Sequence, residues 1–145
     1  LAAKLKRINP RALIVESVHQ PQGFSSAHNP DEVLGLDALK GKRVAIFSGI
    51  GNPQGFENCI HSLGINLGLA FRFTDHHDYT PADLSGIIKT AQDNNLDSII
   101  TTQKDAVKIR QLEIGDSRIL VLDIKLSITK NEAELNRRLL KLYSF

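Results

Sequence analysis

The sequence predicts a three-layer α/β fold, in which a mostly parallel, Rossmann-like sheet carries helices on both faces. From Lys42 onward, short apolar runs alternate four times with stretches of helical periodicity, which is typical of parallel strands joined by helices. The first run, residues 44–47, is continuously apolar, as expected for a strand that is covered on both faces. Polar or glycine-rich residues follow the runs, and we expect them to form loops at the carboxyl edge of the sheet.

Two regions are distinguished by this pattern. Residues 42–145 are predicted to be an α/β carboxyl-terminal domain, and residues 1–41 a linker that leads from an upstream domain. The sequence contains no methionine and begins with Leu1, so we expect it to be part of a longer protein. Within the linker, the pattern favours a strand at residues 11–16, a loop at 17–29 and a short helix after Pro30.

The helices of the second region have recognisable first residues. Asn52 suits a helix cap with Pro53 in the first turn, and Thr80 with Asp83 forms a capping pattern. The apolar positions that follow each start repeat at helical spacing, so each helix has one face to bury. The predicted strands are residues 44–47, 67–73, 97–101 and 118–124, and the predicted helices begin near residues 53, 81, 102 and 129.

The composition excludes several classes of protein. The formal net charge is +2 and the basic residues are scattered without interleaved aromatics, so we expect no nucleic-acid partner. Cys59 is the single cysteine, which rules out an internal disulfide and fits a reducing compartment. No apolar run approaches the length of a membrane span, and we expect the chain itself to be soluble.

The segment Gly49-Ile50-Gly51-Asn52-Pro53-Gln54-Gly55 joins the first predicted strand to a helix. Its glycine spacing differs from the dinucleotide fingerprint, and no Gly-Lys-Ser/Thr follows as in a Walker phosphate loop. A tight turn at a helix start still offers free backbone N–H groups, which suit an anion. Two interpretations stay open, a structural turn and a contact to phosphate or to a neighbouring domain.

The stretch Asp75-His76-His77 concentrates titratable groups in the loop after the second predicted strand. Its histidines could form a metal site, a solvated pair, or a proton-transfer or orienting group. An Asp-His-His sequence also occurs in a family of metal-dependent phosphoesterases, but the Asp-x-Asp pair of those enzymes is absent here. Adjacent residues also tend to point in different directions, so we expect no metal site and favour proton transfer or orientation.

The segment Thr101-Thr102-Gln103-Lys104-Asp105 lies at the end of the next strand and therefore at the same edge. Thr102 and Asp105 have the spacing of a reciprocal helix cap, and we favour that role for Asp105. Lys104 has two possible roles, a helix surface residue or a cation directed at a phosphate, and both stay open.

Taken together, these segments resemble the carboxyl-terminal half of the tetraacyldisaccharide 4'-kinase family. The resemblance rests on residues 47–53 with Phe56, residues 75–79 with Asp83-Leu84, and residues 101–108. It extends in order and spacing from about residue 9 to residue 122. The sequence departs from the family at Gln103, where a glutamate is usual.

The resemblance implies an enzyme that uses ATP and Mg²⁺ to phosphorylate the 4'-hydroxyl of a tetraacyldisaccharide 1-phosphate in lipid A biosynthesis. It implies that an upstream domain carries the phosphate loop, both cofactors and the lipid-binding surface, so that this chain alone is inactive. The whole protein would contact the membrane surface at the cytoplasmic side of the bacterial inner membrane. Two other functions stay open, a stand-alone nucleotide-binding module and a metal-dependent phosphoesterase.

The resemblance also implies a catalytic role for His76, which would pair across a cleft with an aspartate of the upstream domain and help to deprotonate the sugar hydroxyl. Asp75 would orient His76 or fix its loop. Further candidates for the substrate or phosphate side are Gly49, Gly51, Asn52, Lys104 and Asp105.

Overall fold

The computed structural model describes residues 1–112 and 119–143. The α-helices of the described residues are α1 (Ala2–Ile8), α2 (Pro53–Ser62), α3 (Pro81–Asp93), α4 (Gln103–Ile109) and α5 (Glu132–Tyr143). The strands are β1 (Glu16–Ser26), β2 (Val33–Leu34), β3 (Arg43–Ser48), β4 (Asn66–Arg72), β5 (Ser98–Thr102) and β6 (Ile119–Lys130). One turn of 3-10 helix spans Leu36–Leu39.

These strands form one sheet in the order β2-β1-β6-β5-β3-β4. Strand β3 pairs in parallel with β4 on one side and with β5 on the other, and β5 pairs in parallel with β6. Strand β2 pairs antiparallel with β1. From β3 the chain continues to β4 on one side, whereas β5 and β6 follow on the other side of β3. A topological switch point therefore lies beside β3. In α/β proteins ligands bind outside the carboxyl ends of the strands at such a point.

Helices cover both faces of the sheet because successive side chains of a strand point to opposite sides. Ala45 and Phe47 of β3 pack into one apolar cluster, and Val44 and Ile46 pack into another. Helix α3 contributes Leu84, Ile87 and Ala91 to the first cluster, and α2 contributes Phe56 and Ile60 to the second. This arrangement is the three-layer α/β fold that the sequence predicts.

The chain divides into two compact units. The larger unit consists of residues 21–124 and contains β3 to β5 with helices α2 to α4. The smaller unit consists of residues 1–20 and the described residues from 125 onward. The domain boundary inferred at residue 42 stays a prediction. None of the helices in the described part of the chain combines the length and apolar character that a bilayer span requires.

The segment before β3 differs from the sequence prediction. The expected strand at residues 11–16 is absent before Glu16, and the expected loop at 17–29 contains β1 instead. Strand β1 lies between β2 and β6, and pairing with its neighbours outweighs the low strand propensity of its own residues. A Cβ added at Gly23 would lie 2.7 Å from the carbonyl oxygen of Leu34, so the glycine belongs to this pairing.

Two predicted helix starts are also corrected. The helix expected after Pro30 is replaced by β2 and the 3-10 turn. The last helix begins at Glu132 rather than near residue 129, because β6 continues to Lys130. Residue 118, the first residue of the strand predicted there, lies outside the described residues.

An ion pair between Glu57 and Arg72 links α2 to the end of β4. Arg72 Nε lies 2.6 Å from Glu57 Oε1, and Arg72 Nη2 lies 2.9 Å from Glu57 Oε2. Glu57 is 5% exposed, so its carboxylate depends on this partner. The hydrogen bond from Arg72 holds the pKa of Glu57 below its usual value of 4.5.

We expect acid to weaken the fold through this pair. Because the pKa of Glu57 is lower in the folded chain than in the unfolded chain, its contribution is present above pH 4.5 and is lost as the pH falls further. The free energy of unfolding, measured by urea denaturation, should therefore fall less steeply between about pH 5 and pH 3 in Glu57→Gln than in the wild type.

The exposed pair of Lys89 and Asp93 provides a matched control, because its side chains are 75% and 60% exposed. Asp93→Asn should leave the pH dependence close to that of the wild type, since exposed pairs contribute little. If the free energy of unfolding depended equally weakly on acidic pH in both variants, the acid sensitivity could not be assigned to Glu57.

Candidate active site

Three segments meet at the carboxyl edge of the parallel strands in the larger unit. The glycine loop, residues 49–52, follows β3; the histidine loop, residues 73–80, follows β4; and the threonine junction, residues 101–105, connects β5 to α4. Asn52 caps α2, because its Oδ1 accepts a hydrogen bond from Gly55 N at 3.0 Å, as the sequence predicts. Contacts among the three segments bring together the other candidates, Gly49, Gly51, Asp75, Lys104 and Asp105.

The carboxylate of Asp105 joins the glycine loop to the threonine junction. Asp105 is 0% exposed, and Gly49 N donates to both of its oxygens at 3.2 Å. Thr102 Oγ1 donates to Asp105 Oδ2 at 2.7 Å and accepts from Asp105 N at 3.2 Å. The cap that Thr102 was predicted to provide is therefore confirmed, whereas the carboxylate of Asp105 returns a contact to the Thr102 hydroxyl rather than to its backbone N–H and also fixes the backbone of the glycine loop.

Gly49 joins the glycine loop to the histidine loop as well. Its carbonyl oxygen accepts a hydrogen bond from His76 N at 3.1 Å. A Cβ at this position would lie 3.2 Å from Thr74 O, His77 Cβ and the Tyr79 hydroxyl. Backbone is one of these neighbours, so a larger residue would displace the histidine loop.

Asp75 and Lys104 form an ion pair between the histidine loop and the threonine junction. Lys104 Nζ lies 2.9 Å from Asp75 Oδ1. The hydrogen bond from Lys104 lowers the pKa of Asp75, so this carboxyl stays ionised over a wide pH range. A Cβ at Gly51 would lie 3.4 Å from Asp75 Oδ2, which places the glycine loop directly against this carboxylate.

His76 is presented to solvent by a left-handed backbone. Its φ is 62°, a conformation that costs a non-glycine residue about 1–2 kcal/mol. Its amide donates to Asp75 Oδ1 at 3.0 Å as well as to Gly49 O, and these bonds hold the conformation in place. The side chain is 75% exposed, and its Nε2 lies 3.8 Å from Asp75 Oδ2. The imidazole is therefore accessible, with an ionised carboxylate beside it.

His77 is held in a different environment from its neighbour. Its ring stacks on Phe73 with centroids 4.5 Å apart and lies edge-on to Tyr79 at 5.0 Å. His77 Nε2 lies 3.2 Å from Asp83 Oδ2, and Asp83 also closes the predicted capping box with Thr80. The hydrogen bond from the Thr80 backbone is the largest of the contacts that lower the pKa of Asp83. These contacts give His77 a structural role in the loop.

Phe73, Tyr79 and Lys108 complete the support of the histidine loop. Tyr79 and Lys108 belong to the segments that carry the family resemblance, but the sequence pattern assigns no role to either of them or to Phe73. Lys108 Nζ donates to His77 O at 2.6 Å and lies 3.6 Å from Asp78 Oδ1. Burial, followed by the charge of Asp105, raises the pKa of Tyr79, so its phenol stays neutral. The sequence signal for this group is the spacing of aromatics on either side of the histidines.

Gln103, where the sequence departs from the family pattern, lies in this junction but contacts other residues. Its Nε2 donates to Asp123 Oδ1 at 3.2 Å, and its Oε1 accepts from Ile124 N at 3.4 Å. These bonds connect the start of α4 to β6. Among the described residues, no group of three His, Cys, Asp or Glu side chains has the arrangement of a metal site.

This geometry defines an α/β domain of the Rossmann-like type that presents an exposed imidazole and an ion pair beside the switch point of its sheet. The family model described as Tetraacyldisaccharide-1-P 4'-kinase (LpxK) matches residues 4–144, and the chain belongs to this family. The resemblance inferred from the three sequence segments is thereby confirmed.

The relatives that match are longer proteins. A tetraacyldisaccharide 4'-kinase of Desulfatibacillum aliphaticivorans is 34% identical over 120 residues, which cover 78% of this chain and 33% of the relative. Another, of Anaeromyxobacter dehalogenans, is 37% identical over 95 residues, which cover 66% of this chain and 25% of the relative. This chain therefore spans about a quarter to a third of the length of these curated relatives.

A solved structure shares the fold. The "apo" form of LpxK from Aquifex aeolicus, crystallised in complex with ATP, matches 92% of this chain and 40% of its own chain, with a TM-score of 0.55 and 22% identity. This likeness confirms the α/β architecture that the sequence predicts.

We expect Asp105→Asn to destabilise the larger unit. The substitution removes the charge and replaces one of the two oxygens that accept from Gly49 N with an amide nitrogen, which is a donor and would face that N–H. A buried hydrogen bond to a charged acceptor contributes roughly 1.5–3 kcal/mol. The free energy of unfolding from urea denaturation should fall by about that amount.

Asp97→Asn is the matched control, because the carboxylate of Asp97 also accepts one backbone N–H, from Arg43 at 2.8 Å, but in an exposed position. This variant should lose less than about 1 kcal/mol. Equal losses in the two variants would show that the buried carboxylate has no special structural importance.

Proposed function

We propose that this chain is the carboxyl-terminal part of an ATP-dependent kinase that phosphorylates the 4'-hydroxyl of a tetraacyldisaccharide 1-phosphate in lipid A biosynthesis. Membership of the family over residues 4–144 supports the reaction class. The observation that carries the proposal is the exposed imidazole of His76, held in a left-handed backbone beside Asp75 at the switch point. A group placed in this way has a backbone held by hydrogen bonds and an imidazole that a substrate can reach.

The chemistry proposed for His76 is assistance to the attacking hydroxyl. Phosphoryl transfer depends mainly on positioning and on electrostatic stabilisation, and an imidazole at the acceptor oxygen supplies a proton acceptor. His76 would act together with an aspartate of an upstream domain, as the family resemblance implies. Asp75 would position His76 by accepting a hydrogen bond from the His76 backbone N–H. Asp75 would not act as the base, because its Oδ1 is already engaged by Lys104.

We propose that ATP and Mg²⁺ are held mainly by an upstream domain. The glycine loop of this chain lacks the lysine and hydroxyl of a Walker phosphate loop, and Lys104 is paired with Asp75. Gly51 and Asn52 remain candidates for a contact on the phosphate side, because they lie at the start of α2. The chain alone would transfer no phosphate, and an enzymatic rate from the isolated 145 residues would contradict this arrangement.

The remaining partners follow from the same proposal. The acceptor is a disaccharide lipid, so the complete protein would work at a membrane surface, on the cytoplasmic side of the bacterial inner membrane. An upstream domain would supply the lipid-binding surface, and the carboxyl edge of the larger unit would face it.

The two adjacent histidines give a direct test. In a protein that joins this chain to its upstream domain, His76→Ala should lower kcat roughly a hundredfold with little change in the KM for ATP, because an acid-base group is lost. The same substitution should leave the thermal midpoint almost unchanged, since the His76 side chain is 75% exposed. Transfer of labelled γ-phosphate to the disaccharide lipid measures the first effect, and calorimetry measures the second.

His77→Ala is the control, with the opposite expectation. It removes a stacked ring and the contact with Asp83, and should cost about 1–2 kcal/mol of stability, with a smaller effect on kcat. Unchanged transfer by His76→Ala would exclude His76 from the chemistry and leave the histidine loop a structural element.

The two roles open for Lys104 are separated by a double-mutant cycle with Asp75. If Lys104 positions Asp75, then Lys104→Gln should lower kcat about tenfold at constant KM for ATP, and adding Asp75→Asn should lower it little further. If Lys104 instead contacts a phosphate, the KM for ATP should rise and the two effects should add. The 2.9 Å pair with Asp75 leads us to expect the first outcome.

A further inference from the structure

A second feature with the character of a binding site lies within the smaller unit. It is a cavity of about 280 Å³, which we call the basic cavity. Its basic lining residues are Lys6 of α1, Arg11 of the following turn, Lys130 at the end of β6 and Arg138 of α5. Glu16 is its acidic lining residue among the residues that the structure describes. The lining therefore has an excess of positive charge.

The four cations of the basic cavity are not all neutralised by neighbours. Lys130 pairs with Glu16 at 3.0 Å, and Arg138 pairs with Glu134 at 2.9 Å. The guanidinium of Arg11 has no hydrogen-bond or ion-pair partner within residues 1–112 and 119–143. An arginine presents five N–H donors in a planar fork that matches phosphate oxygens, so an unpaired one in a cavity is suited to that ligand.

The backbone that carries Arg11 is held by hydrogen bonds. Lys6 Nζ donates to the carbonyl oxygens of Pro10 at 3.2 Å and Ala12 at 2.6 Å, and Arg11 N donates to Asn9 Oδ1 at 3.0 Å. Asn131 Nδ2 closes the other side through a 2.8 Å bond to Ile14 O. Lys6 retains a third N–H that these carbonyls do not use. A backbone held in this way reduces the ordering cost of binding.

We propose that the basic cavity binds a phosphate-containing anion, either a phosphomonoester or a diphosphate group. Its volume corresponds to several water molecules of about 30 Å³ each, which is enough for such a group. Arg11 provides the paired donors, and Lys6 and Lys130 provide positive charge. Glu16 reduces the net positive charge of the lining. The site goes beyond the proposed kinase function and does not depend on it.

The first experiment uses the ¹⁵N-labelled 145-residue chain titrated with inorganic pyrophosphate at constant ionic strength. We expect saturable amide shifts confined to the cavity lining, and weaker binding as salt increases. Arg11→Gln should raise the dissociation constant about tenfold or more, because it removes hydrogen bonds between charged groups. Glu16→Gln should lower the dissociation constant, because it removes the negative charge of the lining and frees Lys130.

Arg7→Gln is the matched control. Arg7 lies on α1, is exposed and loses the same charge on substitution, but it does not line the cavity. Its dissociation constant for pyrophosphate should stay within about twofold of the wild-type value. Thermal unfolding checks that each variant is folded, and Lys130→Gln replaces Arg11→Gln if the latter is not.

A lipid headgroup and a free phosphate would bring the same chemistry to the cavity. Flotation with phosphatidylcholine vesicles, with and without phosphatidic acid, separates the two sources. Pyrophosphate binding that depends on Arg11 supports a soluble ligand, and vesicle binding that needs both phosphatidic acid and Arg11 supports a headgroup. The proposal would be overturned if the chain bound neither pyrophosphate nor the vesicles with phosphatidic acid. It would also be overturned if Arg7→Gln and Arg11→Gln weakened binding equally.

Discussion

The arrangement of the three loops at the carboxyl edge of the parallel strands depends on one buried carboxylate. A charged group without solvent is unfavourable unless its oxygens are fully bonded, and Asp105 meets this condition with Gly49 N and the hydroxyl of Thr102. Both donors come from the ends of parallel strands that are neighbours in the sheet. The carboxylate of Asp105 therefore contacts the cap of α4 and also links the threonine junction to the glycine loop. The position of the glycine loop depends in this way on that of α4.

The third loop is attached through the same residue. Gly49 N donates to the carboxylate of Asp105 and Gly49 O accepts from His76 N, so the peptide units on the two sides of Gly49 connect α4 to the histidine loop. This explains how a strained left-handed residue can persist on an exposed loop, because the surrounding bonds over-determine it. The turn at His76 also separates the two imidazoles, one directed to solvent and one packed between Phe73 and Tyr79.

Local patterns were sufficient to predict much of this architecture. The helix caps at Asn52, Thr80 and Thr102 each depend on residues three positions apart, which the sequence displays directly. The alternation of strands and helices from β3 onward is likewise a short-range signal. Strand β1 was missed because its stability comes from neighbours distant in the chain, and the same is true of the pair between Glu57 and Arg72.

The candidate site shows the same limit. The sequence indicates which loops share an edge, but not which lysine contacts which acid. Lys104 and Lys108 are one helical turn apart on α4, and both reach the histidine loop, where one contacts Asp75 and the other His77 O. Their partners depend on the conformation of the histidine loop, in which His76 has a positive φ. Histidine is enriched at positive φ, but the sequence alone does not mark this position.

The departure at Gln103 has a physical explanation in these contacts. Its side chain must donate to the carboxylate of Asp123 and accept from Ile124 N, and an amide can do both. An ionised glutamate has no donor and would face Asp123 as a like charge. The glutamine therefore fits the neighbouring β6 of this chain, while Lys104 is directed to the histidine loop and Asp105 to the glycine loop.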